Sequence, residues 1–319
     1  MRRSMSPRSC GRISAKKSSP MPWRIMPGGN AVLEDSDMFG WRLLSSLVLW
    51  SLVIALVALR YTQGVFLLIA VVGIAAQREF YLSQRAAGRT VFLKTGLLAG
   101  ALLYIATFIA VGSPYGKLPI AFTGEAVLIL LVILGALTRR VFEAKIEGAT
   151  EAMALTLFGF FYVPYLLNYA IKILFCVPGG AGIPLLAFAV AITKLTDIGA
   201  YIAGTLLGRH KLSPLISPKK TWEGLVGGVL VALLASVGLV RWFPEALGSL
   251  AGIHAWILGL VLSGVSVIGD LGESVVKRDA HVKDSGRFIP GIGGALDLVD
   301  SLLFSLPVFY GYLVLTGRV

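Results

Sequence analysis

The feature that most constrains this chain is a run of apolar stretches, most of them long enough to cross the roughly 30 Å hydrocarbon core of a bilayer. They fall at about Leu43–Leu59, Gly64–Ala76, Phe92–Val111, Ala121–Leu137, Met153–Phe175, Ile183–Leu207, Leu225–Val240, Ala255–Gly272 and Leu302–Thr316. The second is short and the sixth carries charges. Soluble domains divide before their cores grow large enough to hide so much apolar chain. Composition agrees, with 56% of the 319 residues hydrophobic and 14% charged, against about 45–50% and a quarter in soluble domains. Backbone groups at membrane depth must be satisfied inside each segment, and nothing alternates like barrel strands, so the spans are expected as helices. The expected fold class is all-α, a polytopic integral membrane protein with about nine transmembrane helices.

The chain carries 29 Lys and Arg against 17 Asp and Glu. In a soluble protein that excess would point to nucleic acid. Here the gathering of basic residues in cytoplasmic loops explains it, and no nucleic-acid partner is expected. The segment Met1–Pro27 holds Arg2, Arg3, Arg8, Arg12, Lys16, Lys17 and Arg24 with no acid and no apolar run. It reads as a basic tail, not a secretory signal, and Met21, Met26 and Met38 offer later starts. With that tail inside, the even-numbered connections carry Arg78, Arg85, Arg89 and Lys94, then Arg139, Arg140 and Lys145, then Arg209, Lys211, Lys219 and Lys220, then Lys277, Arg278, Lys283 and Arg287. The opposite side receives Arg60, Lys117, Arg241 and Arg318. That asymmetry favours a cytoplasmic N-terminus, an outside C-terminus and insertion in the cell's inner membrane. The chain divides into a disordered basic tail (1–38), an N-terminal bundle of about five spans (39–182) and a C-terminal catalytic membrane domain of about four (183–319). Cys10 and Cys176 lack metal-ligand spacing.

Glu125, Asn168 and Lys172, the main polar residues of the first five spans, lie near predicted ends where long side chains snorkel. The last third differs. Lys194 and Asp197 stand three apart inside the sixth span, on one helical face, and ionisable groups at that depth are functional candidates by default. Two Ser-Pro steps then predict a stiff extended loop ending at Ser217-Pro218-Lys219-Lys220-Thr221-Trp222-Glu223. Cations beside helix N-terminal amides there suit phosphate, although a basic loop satisfies the orientation rule without binding anything. In the eighth span Ser263, Ser266, Asp270, Glu273 or Ser274, and Lys277 follow helical spacing, a polar stripe that faces a bundle interior or wet cavity. Gly293 and Gly294 permit close backbone approach. Beyond them Asp297 and Asp300 share one side of the last helix, where Asp297 alone reads equally well as a helix cap. Asp270, Asp297 and Asp300 supply hard oxygen ligands suited to Mg²⁺, and the surrounding bases suit nucleotide phosphates. No Walker-type motif is present.

The run Ser274-Val-Val-Lys277-Arg278, then Lys283-Asp284-Ser-Gly286-Arg-Phe-Ile289-Pro290-Gly291-Ile292-Gly293-Gly294-Ala-Leu-Asp297-Leu298-Val-Asp300, closely resembles the signature of phosphatidate cytidylyltransferases. Lys194-Leu-Thr196-Asp197, Ser217-Pro218-Lys219-Lys220 and Gly269-Asp270-Leu271-Gly272-Glu273 resemble the same family's upstream blocks, so that the likeness covers about Lys194–Pro307. Ile292 and Leu298 stand where the family commonly has histidine and arginine, and Ala295 is smaller than usual. The resemblance implies transfer of a cytidylyl group from CTP to phosphatidate, giving CDP-diacylglycerol and pyrophosphate, in a protein that contacts membrane lipid and forms a homodimer. Candidate catalytic residues are Asp270, Lys277, Arg278, Lys283, Asp284, Asp297 and Asp300. Candidate substrate contacts are Lys194, Asp197, Ser217, Lys219, Lys220, Glu223, Ser263, Ser266, Glu273, Ser274, Gly293 and Gly294. The competing readings are a CTP-dependent polyprenol kinase and a secondary transporter, although no internal repeat of the transporter kind is visible.

Overall fold

The computed structural model describes residues 47–48, 50–112, 120–143, 147–282, 286 and 293–319. Residues 47–48 and 50–58 are helical and are called α1. There follow α2 (Thr62–Ala86), α3 (Leu93–Gly112), α4 (Ile120–Glu143), α5 (Ala149–Phe160), α6 (Leu166–Cys176) and α7 (Gly182–Leu207). A short hairpin, β1 (Lys211–Ser213) and β2 (Ser217–Thr221), leads to α8 (Trp222–Trp242), the one-turn α9 (Pro244–Leu247), α10 (Ile253–Asp279) and α11 (Ala295–Leu315).

Among the described residues seven helical rods are long and apolar enough to cross a membrane: α2, α3, α5 continued into α6, α7, α8, α10 and α11. They match seven of the nine expected stretches. Helix α4 overlies the fourth and α1 part of the first. The fold is the expected all-α membrane bundle. Inside the rod formed by α5 and α6 Pro164 removes an amide donor, and the backbone widens into a π-turn over Phe161–Tyr165 instead of breaking.

The small hairpin corrects the extended loop expected after α7. Lys211 pairs with Thr221 and Ser213 with Ser217, antiparallel, with Pro214 in the turn. A second correction concerns α2. Its apolar run ends near Ala76, but the helix continues through Gln77 and Glu79 to Ala86, and the chain reverses at Gly88 with φ +80°. Third, Glu125 and Lys172 do not snorkel. Their charges meet at 2.7 Å between α4 and α6, with side chains 13% and 11% exposed, and Asn168 donates to the same carboxylate at 3.2 Å.

The helices that carry the polar residues pack in sequence order, α7 on α8, α8 on α10 and α10 on α11. Helix α8 buries Gly224, Gly228, Ala232, Ser236 and Val240, every fourth residue, and exposes Val226, Leu230 and Leu234. Such a narrow buried stripe beneath an apolar exposed face is what hydrocarbon surroundings require, since small residues let helices approach closely there. Helix α11 also packs against α2 and α6, which brings the N-terminal half of the chain to the polar region.

Candidate functional site

Asp270 and Glu273 stand three residues apart on one face of α10, and Asp300 faces them from α11. One carboxylate oxygen of each lies within 4.8 Å of the other two. They meet because α10 and α11 touch almost backbone to backbone at Gly269. A Cβ there would lie 2.9 Å from the Asp300 carbonyl oxygen and 3.2 Å from the Ser301 Cα, so any side chain would push the helices apart. Glu273 and Asp300 are buried.

Two ammonium groups close on this acidic trio. Lys220, at the end of β2, reaches Asp270 at 2.7 Å. Lys277, one turn beyond Glu273, sits 2.7 Å from Glu273 and 2.5 Å from Asp297. Asp297 therefore stands beside the trio, bound to Lys277. Its other oxygen accepts the Gly294 amide at 3.0 Å, so it caps its own helix as well. The place expected for Asp297 among three clustered carboxylates is taken by Glu273.

Deeper along the helices, Lys194 and Asp197 are joined through α11. Their direct separation is 3.7 Å. Ser301 is the closer link, accepting from Lys194 at 3.2 Å and donating to Asp197 at 3.2 Å. Ser266 on α10 donates to the other Asp197 oxygen at 3.4 Å. Three helices thus share one polar network directly below the acidic trio. Ser263 does not join it, because its hydroxyl bonds back to Leu260 in its own helix.

The remaining predicted residues lie further out. Pro218 and Lys219 are exposed, while Lys220 and Thr221 at the end of β2 turn inward. Glu223 binds the Arg209 and His210 amides and the His210 ring at 2.6 Å. The N-terminus of α8 is capped by Thr221, which accepts the Gly224 amide. That end carries its own cap, so the phosphate cradle expected there is already partly filled. Ser217 pairs within the hairpin, and Arg278 donates to its Ile216 carbonyl at 3.4 Å. Ser274 is half-buried on α10, and Gly293 holds φ +123° ahead of α11. Lys283 and Asp284 lie outside the described residues.

Two residues that sequence reasoning missed adjoin the site, both from the N-terminal half. Glu79 on α2 accepts the Leu296 amide at 2.9 Å in the first turn of α11. A Cβ at Gly294 would meet that carboxylate at 2.5 Å, which accounts for a glycine there. The signal was an acid one helical turn past an apolar run. Tyr162, in the π-turn, is buried with its hydroxyl unpartnered and within Coulombic reach of Glu273, Asp300 and Asp270. No sequence pattern marked it.

Counted formally, Asp270, Glu273, Asp297 and Asp300 face Lys220 and Lys277. Among the described residues acids thus outnumber bases at a largely buried place, where unpaired charge is costly. An all-oxygen donor set of three carboxylates on rigid helices fits Mg²⁺, which keeps several waters and shares substrate phosphates.

Fold and site define a helical integral membrane protein with a cluster of charged side chains among its spans. The chain belongs to the cytidylyltransferase family, whose model matches residues 41–316. The phosphatidate cytidylyltransferase of Synechocystis is 34% identical over 271 residues, covering 77% of this chain and 87% of that one. The Staphylococcus epidermidis phosphatidate cytidylyltransferase is 45% identical over 138 residues, 42% of this chain and 51% of the relative. The uncharacterised YnbB of Escherichia coli is 34% identical over 210 residues, 63% of this chain and 68% of that protein. The chain thus spans about half the length of the staphylococcal relatives and most of the cyanobacterial one.

Proposed function

We propose that this protein is a phosphatidate cytidylyltransferase. It transfers a cytidylyl group from CTP to phosphatidate and forms CDP-diacylglycerol, a step of phospholipid biosynthesis. The observation that carries the reading is the convergence of Asp270, Glu273 and Asp300 with Lys220 and Lys277, drawn from α10, α11 and the hairpin, in a chain of this family.

In the reaction a phosphatidate phosphate oxygen forms a bond to the α-phosphorus of CTP. The bond from that phosphorus to the oxygen bridging to the β-phosphorus breaks, and its electron pair leaves with pyrophosphate. The nucleophile is already anionic, so no strong base has to remove a proton. What remains is holding two anions in line and neutralising their charge. Asp270, Glu273 and Asp300 would hold a Mg²⁺ ion, with Asp297 steadying Lys277 beside them. When bound, that ion would offset charge developing on the triphosphate. Lys220 and Lys277 donate to phosphate oxygens. Lys194, tied to Ser301 and Asp197, lies toward the lipid side of the cluster and suits the phosphatidate head. The basic loops favour the cytoplasmic face of the inner membrane for this site, and a homodimer belongs to the same reading.

The test is purified protein in detergent with labelled CTP, phosphatidate and Mg²⁺. CDP-diacylglycerol and pyrophosphate are the expected products. Release of CDP instead would identify a kinase, and absence of CTP consumption alongside an active relative would overturn the reading.

A further inference from the structure

Next to the charged cluster, on the far side of Lys194, lies a cavity of about 450 Å³ walled by α1, α2, α6, α7 and α11. That volume is in the range of small-molecule sites. Among the described residues Lys194 is its one charged lining residue; Trp50, Val72, Ala187, Ala191 and Leu302 typify the rest. Lys194 contributes its stem, while its ammonium group is held by Ser301 and Asp197. Along α7 the lining runs from Lys194 to Ile183, about 16 Å at 1.5 Å per residue. Along α11 it begins at Leu298 and Val299, immediately beside Asp297 and Asp300. The space is therefore long and apolar, and Lys194 is the residue that it shares with the polar network.

We propose that this cavity seats one acyl chain of the lipid substrate, with Lys194 as the hinge between head and tail, and that its depth along α7 sets the preferred chain length. The inference rests on the function proposed above. Its physical basis is that an apolar cavity of this size offers water too few hydrogen-bond partners. Hydrocarbon gains roughly 0.8 kcal/mol per buried methylene there. A lipid whose phosphate lies by Lys220 and Lys277 has to send its chains along whatever apolar route leaves that point. Ala191 and Ala187 line the route about one and two helical turns from Lys194, and their small side chains keep it open.

The experiment uses the full-length protein and its Ala187→Phe and Ala191→Phe variants with dioctanoyl and dipalmitoyl phosphatidate. In Ala187→Phe the ratio of long-chain to short-chain kcat/KM is expected to fall about tenfold, as if roughly two methylenes were turned out of an apolar seat. Ala191→Phe, nearer the hinge, should move the cut-off to shorter chains still. A second reading does not depend on turnover: phosphatidate brominated in its acyl chain should quench a fluorescence component that Trp50→Phe removes and Ala187→Phe weakens. An unchanged chain-length ratio in both variants, or equal loss for both lipids with no Trp50 component, would overturn the cavity assignment. Absence of product from either lipid with the unaltered protein would instead overturn the proposed activity, and the quenching would still decide whether the cavity takes a chain.

Discussion

The carboxylate of Glu79 accepts the backbone amide of Leu296 at 2.9 Å, across 217 positions of sequence. A helix start whose amide is satisfied by a side chain from another helix is fixed in position by it. Here that start carries Asp297 and Asp300. Glu79→Ala should leave a buried amide unpartnered, at a cost of about 1–3 kcal/mol. It should also loosen the first turn of α11. We expect a lower melting temperature together with reduced kcat, and partial recovery of both in Glu79→Gln, which still offers an oxygen. Wild-type behaviour of the alanine variant in a thermal-shift and turnover series would contradict this role.

The acids are expected to separate into two groups. Asp270→Asn, Glu273→Gln and Asp300→Asn each remove charge from the clustered trio. Each should lower kcat by roughly 10²–10³, the scale seen when one preorganised electrostatic contact is removed, and raise the Mg²⁺ concentration needed for half-maximal rate. Asp297→Asn keeps the trio intact and takes from Lys277 one of its two carboxylate partners, so its main effect should be on the KM for CTP. Titration of Mg²⁺ against rate in the four variants checks the division. An Asp297 variant whose Mg²⁺ requirement shifts as far as the others' would return that residue to the ligand set.

Removal of Mg²⁺ by a chelator should abolish turnover and leave the helical fold in place. The helices are held by apolar packing and internal hydrogen bonds, not by the ion. Circular dichroism and activity measured on one sample, before and after chelation and re-addition, test both halves of the statement.

Two ion pairs outside the trio should differ in worth because their surroundings differ. Glu125 and Lys172 are almost wholly buried. Lys172→Met alone would leave a buried carboxylate without its cation, costing about 3–5 kcal/mol, whereas pairing it with Glu125→Leu should restore most of the loss. Arg89 and Asp279 also meet, but the Asp279 side chain is 59% exposed. Arg89→Ala should cost no more than about 1 kcal/mol. Melting temperatures of the two single variants and the double variant in one detergent would rank them.

Sequence order made much of the site legible. The stripe of Ser266, Asp270, Glu273 and Lys277 was visible because helical spacing is local, and burial of one face leaves a record in composition. The same rule located Lys194 with Asp197. Interhelical partners leave no such record. Asp297 and Glu273 are equally acidic in the chain, and only the crossing of α10 and α11 at Gly269 put Glu273 in the trio and gave Asp297 to Lys277. Glu79 was missed because its partner Leu296 is 217 positions away, and Tyr162 because the acids it stands near are more than a hundred positions away. The hairpin was missed because two prolines argue against strand, yet one falls in its turn and the other is tolerated in a short two-stranded ribbon.

The amino-acid order by itself determined that this chain enters a membrane as helices, which of its segments do so, and that ionisable residues such as Lys194, Asp197 and Asp270 recur inside its later spans. Those properties follow from transfer free energy and the 3.6-residue period, which act on each segment alone. Tertiary structure decided which acids stand together, which lysine serves which carboxylate, and that an apolar cavity adjoins them at Lys194. Each of those depends on how closely helices approach, and that distance is set by small residues such as Gly269 on surfaces that meet only after folding.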